Sequence, residues 1–133
     1  MRALYAETTG ESLLSGTPAE LLALAGLLRE GGGDLALPPV ADPAPYDRAL
    51  AEVRVRHRAT GKVRIRVDGG TLVIGGAPEY LAVLAESVAG FAADPDAGPR
   101  HHLHVEHFPD HFYLAGDSAP LVVGFSGDAP SGA

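Results

Sequence analysis

Apolar residues recur at helical spacing in two windows sixty positions apart. Leu21, Leu24, Ala25 and Leu28 form one stripe, and Leu81, Leu84, Ala85 and Val88 form the other. The windows align without a gap. Gly16-Thr17-Pro18-Ala19-Glu20-Leu21-Leu22-Ala23-Leu24-Ala25 matches Gly76-Ala77-Pro78-Glu79-Tyr80-Leu81-Ala82-Val83-Leu84-Ala85, with Gly, Pro, two Leu and the last Ala identical. In each copy a Pro stands at the first helical position, where its missing N–H costs nothing and its fixed φ suits the helix. The first copy adds a capping box, Thr17 at the N-cap and Glu20 at N3, whereas the second has only Gly76 or Ala77 there. Burying four such side chains contributes about 4–10 kcal/mol per helix before entropy is counted. Gly31-Gly32-Gly33 is a stop signal for the first helix.

Ahead of each helix the period changes from 3.6 to two. This predicts paired strands over residues 2–7 and 12–15 in the first copy, and over 63–67 and 71–74 in the second. Their turns are Thr9-Gly10 and Asp68-Gly69-Gly70. Short apolar runs at 35–37 and 103–105 are expected to return each helix to its sheet, and 52–58 and 120–125 add further strands. The proline-rich stretch 38–45 reads as a connector. The expected fold is therefore α+β, a mostly antiparallel sheet with two helices on one face, built from two strand-strand-helix-strand units. One domain spans residues 1–125, with the repeat over 1–37 and 62–125. A disordered tail is expected over 126–133.

Composition narrows the function more than it defines it. At 133 residues the chain has length for one core. No apolar run approaches the ~20 residues of a membrane span, and the first residues meet Glu7 without an apolar stretch of the kind that opens a secretory signal. A cytoplasmic protein is expected. The absence of cysteine excludes disulfides, thiolate metal sites and cysteine nucleophiles. A net charge of −7 argues against sequence-independent binding to nucleic acid and suits a basic protein partner. No cofactor motif is present. Exposed sheet edges would allow a homodimer.

Two clusters of side chains could carry chemistry. Five of the six histidines fall between His101 and His111. If Leu103 and Val105 face the core, the strand period places His102, His104 and Glu106 together on the opposite face, a spacing that can ligate zinc, iron or nickel. The alternative is a histidine-rich polar face that responds to pH near 6.5. The second cluster is basic: Arg54, Arg56, Arg58, Lys62, Arg64 and Arg66 are six of the ten cationic residues, with no acid among them over 54–66. Read as a hairpin, this stretch sends Val55, His57, Val63 and Ile65 inward and every cation outward. It is either a ribbon for an anionic ligand or partner, or a solvated face balanced by acids such as Glu7 or Glu106.

Other chemistry has little support. Asp117-Ser118 has no exposed nucleophile turn around it. Asp94, Asp96 and Asp110 fall in loops, so no paired carboxylates can be assigned. Gly31-Gly32-Gly33 and Gly69-Gly70 lack the Lys-Ser/Thr ending of a phosphate loop. The tyrosines and phenylalanines are scattered along the chain and define no stacking platform.

Three segments nevertheless carry a resemblance: 71–85, His102-Leu103-His104-Val105-Glu106-His107-Phe108, and Tyr113-Leu114-Ala115-Gly116-Asp117-Ser118-Ala119-Pro120-Leu121-Val122-Val123. Together they resemble the immunity proteins of bacterial polymorphic toxin systems, most nearly the family numbered thirty-two. The resemblance covers the second half of the chain and reaches the first only through the repeat. It implies a non-enzymatic cytoplasmic protein that binds a cognate protein toxin and blocks it. It implies no catalytic residues and no cofactor. The second copy, with the histidine strand and the basic stretch, is where a binding surface is expected.

Overall fold

The computed structural model describes residues 1–94 and 101–126. The strands are β1 (Arg2–Tyr5), β2 (Ser12–Gly16), β3 (Gly32–Ala36), β4 (Arg48–Ala49), β5 (Glu52–His57), β6 (Arg64–Asp68), β7 (Thr71–Gly76), β8 (His102–Val105) and β9 (Leu121–Phe125). The helices are α1 (Pro18–Glu30) and α2 (Pro78–Ala93). The expected tail lies, from residue 127 onward, outside the described residues.

Local chemistry accounts for the helices. Both begin with a proline in the first turn, and α1 has the full capping box: the Glu20 N–H donates to Thr17 Oγ1 at 3.2 Å, and the Thr17 N–H donates to Glu20 Oε1 at 2.9 Å. Glu20 Oε2 also pairs with the Met1 amino group at 2.6 Å. That ammonium, then the Thr17 backbone, holds the Glu20 carboxyl below its ordinary range. α2 starts at Ala77 with no side-chain cap. Gly31 closes α1 in the left-handed region at φ 115°. Both stripes read from the sequence are buried, and the two helices pack directly against each other.

The fold is α+β with mostly antiparallel pairing, but the strands divide between two sheets instead of forming one. Their orders are β4-β1-β2-β9-β8 and β3-β5-β7-β6. The hairpin β1-β2 founds the first sheet and β6-β7 founds the second. Apart from the two-residue β4, which pairs with β1, the strands that follow each helix do not return to their own hairpin. After α1, β3 and β5 join the second sheet, where β5 runs parallel to β7 from Glu52↔Thr71 to His57↔Gly76. After α2, β8 and β9 join the first sheet, where β9 runs parallel to β2 from Ser12↔Leu121 to Gly16↔Phe125. Each half thus lends two of the strands after its helix to the other half, β3 and β5 from the first and β8 and β9 from the second. A single cluster of buried side chains unites both sheets and both helices, including Leu14, Val123, Val55, Ile74, Leu24 and Leu84.

The crossing from α1 into β3 depends on glycine. Gly32 is at φ 100°, and a Cβ there would come within 2.5 Å of the Val55 carbonyl oxygen on β5. The triplet read as a helix stop is therefore also the start of a strand. A side chain at Gly32 meets both strain and a clash, so Gly32→Ala should lower unfolding stability by about 1–3 kcal/mol. Gly26, inside α1 with nothing within 4 Å of an added Cβ, is the opposite case. Gly26→Ala should leave stability unchanged or raise it by up to about 1 kcal/mol. Urea unfolding of the two variants beside the parent measures both effects.

Candidate functional site

Arg54, Arg56, Arg64 and Arg66 lie where alternation sends them, on the outer face of the second sheet, with Val53, Val55, Val63 and Ile65 buried beneath. They do not form a hairpin. β7 lies between β5 and β6, so that Arg54 and Arg66 flank Val73 while Arg56 and Arg64 flank Gly75. Acids from several elements pair with them. Arg56 meets Asp34 at 2.7 Å, and Arg54 meets Glu52 at 2.8 Å and Asp34 at 3.7 Å. Arg64 meets Asp117 at 2.9 Å and Arg66 meets Asp68 at 3.5 Å. The Arg56 guanidinium beside Asp34 holds that carboxyl below its ordinary range. The balancing acids are not those expected from the sequence, since Glu7 pairs with Arg48 and Glu106 lies beside His104. Exposed pairs of this kind add little stability, but they cancel much of the positive potential of the face. Lys62 is turned to another use, donating to the His111 carbonyl at 2.7 Å.

The histidine strand also has the expected alternation. On β8, Val105 is buried and Leu103 partly so, while His102 and His104 are exposed with ring centroids 6.5 Å apart. The His102 ring lies across Gly124 of β9, where an added Cβ would come within 2.9 Å of its Cδ2. Glu106 Oε1 is 4.0 Å from His104 Nδ1. Among the described residues, no group of three or more His, Asp or Glu side chains is disposed to hold a metal ion.

Ser118 has a structural task. Its Oγ accepts the Ile65 N–H at 2.9 Å, while Asp117 is held by Arg64. The chain around it closes the free edge of β6. Val63 N–H donates to Tyr113 O, Ala115 N–H to Val63 O, and Ala119 N–H to Ile65 O, all at 2.8 Å. The segment from Tyr113 to Ala119 is thereby fastened to the second sheet along its length.

The most distinctive exposed feature is one the sequence reading missed. Phe108-Pro109-Asp110-His111 is a tight turn closed by His111 N–H to Phe108 O at 3.0 Å. Proline occupies its second position, and Asp110 is at φ 66° in its third, the signature of a type II turn. Phe108 is 59% exposed and Phe112 68%. Beneath them His111 is buried, with its Nδ1 accepting the backbone N–H groups of Tyr113 at 3.2 Å and Leu114 at 3.1 Å. The Phe108 ring packs on His111 at 4.6 Å, and Phe112 meets Tyr80 of α2 edge-on at 6.3 Å. Four of the aromatic residues that looked scattered, Tyr80, Phe108, Phe112 and Tyr113, are gathered here. The local Phe-Pro-Asp sequence was the available signal for the turn, but Tyr80 comes from a distant helix and had none.

The described residues thus form a small α+β domain that displays two aromatic side chains on a braced turn. Among known families, residues 71–126 match the one described as Immunity protein 32. The resemblance read from the histidine strand and the 113–123 segment holds over this stretch, which includes β7, α2, β8, the aromatic turn and β9. No curated protein and no solved structure matches the chain. No helix among the described residues is long and apolar enough to cross a membrane.

The His111 contacts set a pH dependence. Burial, then the charges of His107 and Lys62, push its pKa below the ordinary histidine value. An acceptor for two N–H groups cannot carry a proton on the same nitrogen, so the folded state holds the ring neutral. The contribution is complete above the unfolded value of about 6.5 and is lost as pH falls through it toward the lower folded value. The melting temperature should therefore drop between pH 7 and pH 5. His111→Asn, which keeps an acceptor but does not titrate, should flatten that slope. His111→Leu, which strands two N–H groups, should cost about 1–3 kcal/mol at pH 7.

Proposed function

We propose that this protein is an immunity protein, one that binds the toxic domain of a partner protein in the cytoplasm and neutralises it by occlusion, without catalysing a reaction. The match of residues 71–126 to Immunity protein 32 carries this reading. Physical features support it. The matched stretch contains seven of the seventeen acidic residues and one arginine, so it accounts for most of the chain's net charge of −7, and an acidic surface speeds association with a basic partner. The hydroxyl and carboxylate with the most catalytic appearance, Ser118 and Asp117, are engaged in holding the edge of β6. The histidine strand leads directly into the aromatic turn, and His102, His104 and Glu106 belong to the proposed contact surface.

A second reading rests on Arg54, Arg56, Arg64 and Arg66 on one sheet face, with Arg58 and Lys62 in the connection between their strands. Arg58 has no acidic partner among the described residues and lies over Gly75, whose added Cβ would come within 3.3 Å of its Nε. This supports a site for a small anion, but the ion pairs of its neighbours weigh against it.

Co-expression separates the two. If the first reading is correct, the protein should restore growth to cells producing the toxic domain encoded beside its gene, and the two should copurify. Neither should change when Arg54, Arg56, Arg64 and Arg66 are replaced by Ser. Failure of the unaltered protein to protect or to copurify would defeat the immunity reading. Salt-sensitive binding of inorganic polyphosphate, lost in the fourfold variant, would favour the second.

A further inference from the structure

Immunity function leaves open where the toxin is gripped. We propose that the turn at Phe108–Phe112 is the principal anchor, inserting its two phenylalanines into an apolar cleft of the toxin that is rimmed by basic side chains. The proposal rests on the immunity reading and specifies its interface.

Three observations converge on this surface. The first is exposure. Only Leu22, Phe108 and Phe112 are exposed large apolar side chains among the described residues, and two of the three lie within five positions of each other. Aromatic side chains dominate the binding energy of protein interfaces, because they bury much area while losing few rotamers. A phenylalanine left open to water contributes nothing to the fold that its partial burial does not already supply, which leaves it free to serve a partner.

The second is rigidity. An exposed aromatic on a mobile loop loses on ordering what it gains on contact, but this turn is braced from below at every point. His111 Nδ1 takes two backbone N–H groups, Lys62 holds the His111 carbonyl, and Val63 pairs with the chain at Tyr113 and Ala115. Pro109 removes freedom from the turn itself. Tyr80 and His111 support the rings from one side and leave the other side to solvent.

The third is charge. Flanking the two rings in the chain are Glu106 and Asp110, and Glu79 adjoins the supporting Tyr80. α2 carries no basic residue. Lys62 is the cation bonded to the turn, through the His111 carbonyl, whereas Arg54, Arg56, Arg64 and Arg66 lie on the outer face of the second sheet, paired with Asp34, Glu52, Asp68 and Asp117. An apolar pair with an acidic border complements an apolar cleft with a basic border, the arrangement of a cleft that handles anionic substrate. Occupying such a cleft would block it directly.

The test uses the whole protein and the toxic domain encoded beside its gene. Phe108→Ser and Phe112→Ser should leave the melting temperature close to that of the parent, because both side chains are largely in water. Together they should weaken toxin binding about 100-fold or more and abolish protection in co-expression. Glu106→Lys with Asp110→Lys should slow association and reverse its salt dependence. Several results would overturn the proposal. If the double Ser variant binds within threefold of the parent, the anchor lies elsewhere although the immunity reading stands. If the parent is a dimer that the double Ser variant converts to monomer, with toxin binding unchanged, the turn is a contact between copies of this chain. If the parent itself binds no toxin, the immunity reading fails and the anchor falls with it.

Discussion

The two parallel pairings, β5 with β7 and β2 with β9, are the contacts on which the rest of the structure depends. A parallel pair cannot be made by a tight turn, so each must bring together segments separated by about a dozen residues or more. Here the two crossovers are reciprocal. β3 and β5, which follow α1, complete the sheet founded by the second hairpin, and β8 and β9, which follow α2, extend the sheet founded by the first. Because both helices sit between a hairpin of one sheet and a strand of the other, their apolar stripes face a common core. The direct packing of α1 on α2 follows from the same exchange.

The exchange also positions the aromatic turn. β8 leads out of the first sheet toward the second, and the chain from Tyr113 to Ala119 runs along β6 before returning as β9. The aromatic turn lies at the start of that excursion. It is therefore tied to both sheets, through β8 on one side and through Val63 and Lys62 on the other. A turn connecting two strands of one sheet would have only the first support.

What could be read in the sequence divides along the same line. The helices were legible because their signals are local: a proline at the start of each and Leu and Ala at a period of 3.6, with a capping box and a closing glycine added in α1. Alternation likewise placed Val55 and Ile65 inside and Arg54, Arg56, Arg64 and Arg66 outside. Strand partnership was not legible, since β3 and β8 are short and nothing in either indicates which sheet will take it. Gly32 and Gly33 even argue against a strand by propensity, and are in one because the chain must pass close to β5 there. Two of the acids that balance the arginines were missed for a related reason: Asp34 reaches Arg54 and Arg56 only through the pairing of β3 with β5, and Asp117 reaches Arg64 only where the chain after Tyr113 runs along β6. The aromatic cluster needed Tyr80 and Phe112 to meet across α2, which depends on the tertiary fold.

The position of β9 has a consequence for how the protein is made. It lies between β2 and β8, in the interior of its sheet, yet it is built from residues 121–125, the last strand of the described chain. The second sheet has all four of its strands once residue 76 has been synthesised, whereas β1 and β2 must wait with an unsatisfied edge until β9 emerges from the ribosome. Folding is thus completed from the far end of the chain, by long-range pairing of the kind that slows two-state folding. Any early product exposes the edge of Ser12–Gly16, with Leu13 and Leu14 on it, as a site for association with other chains.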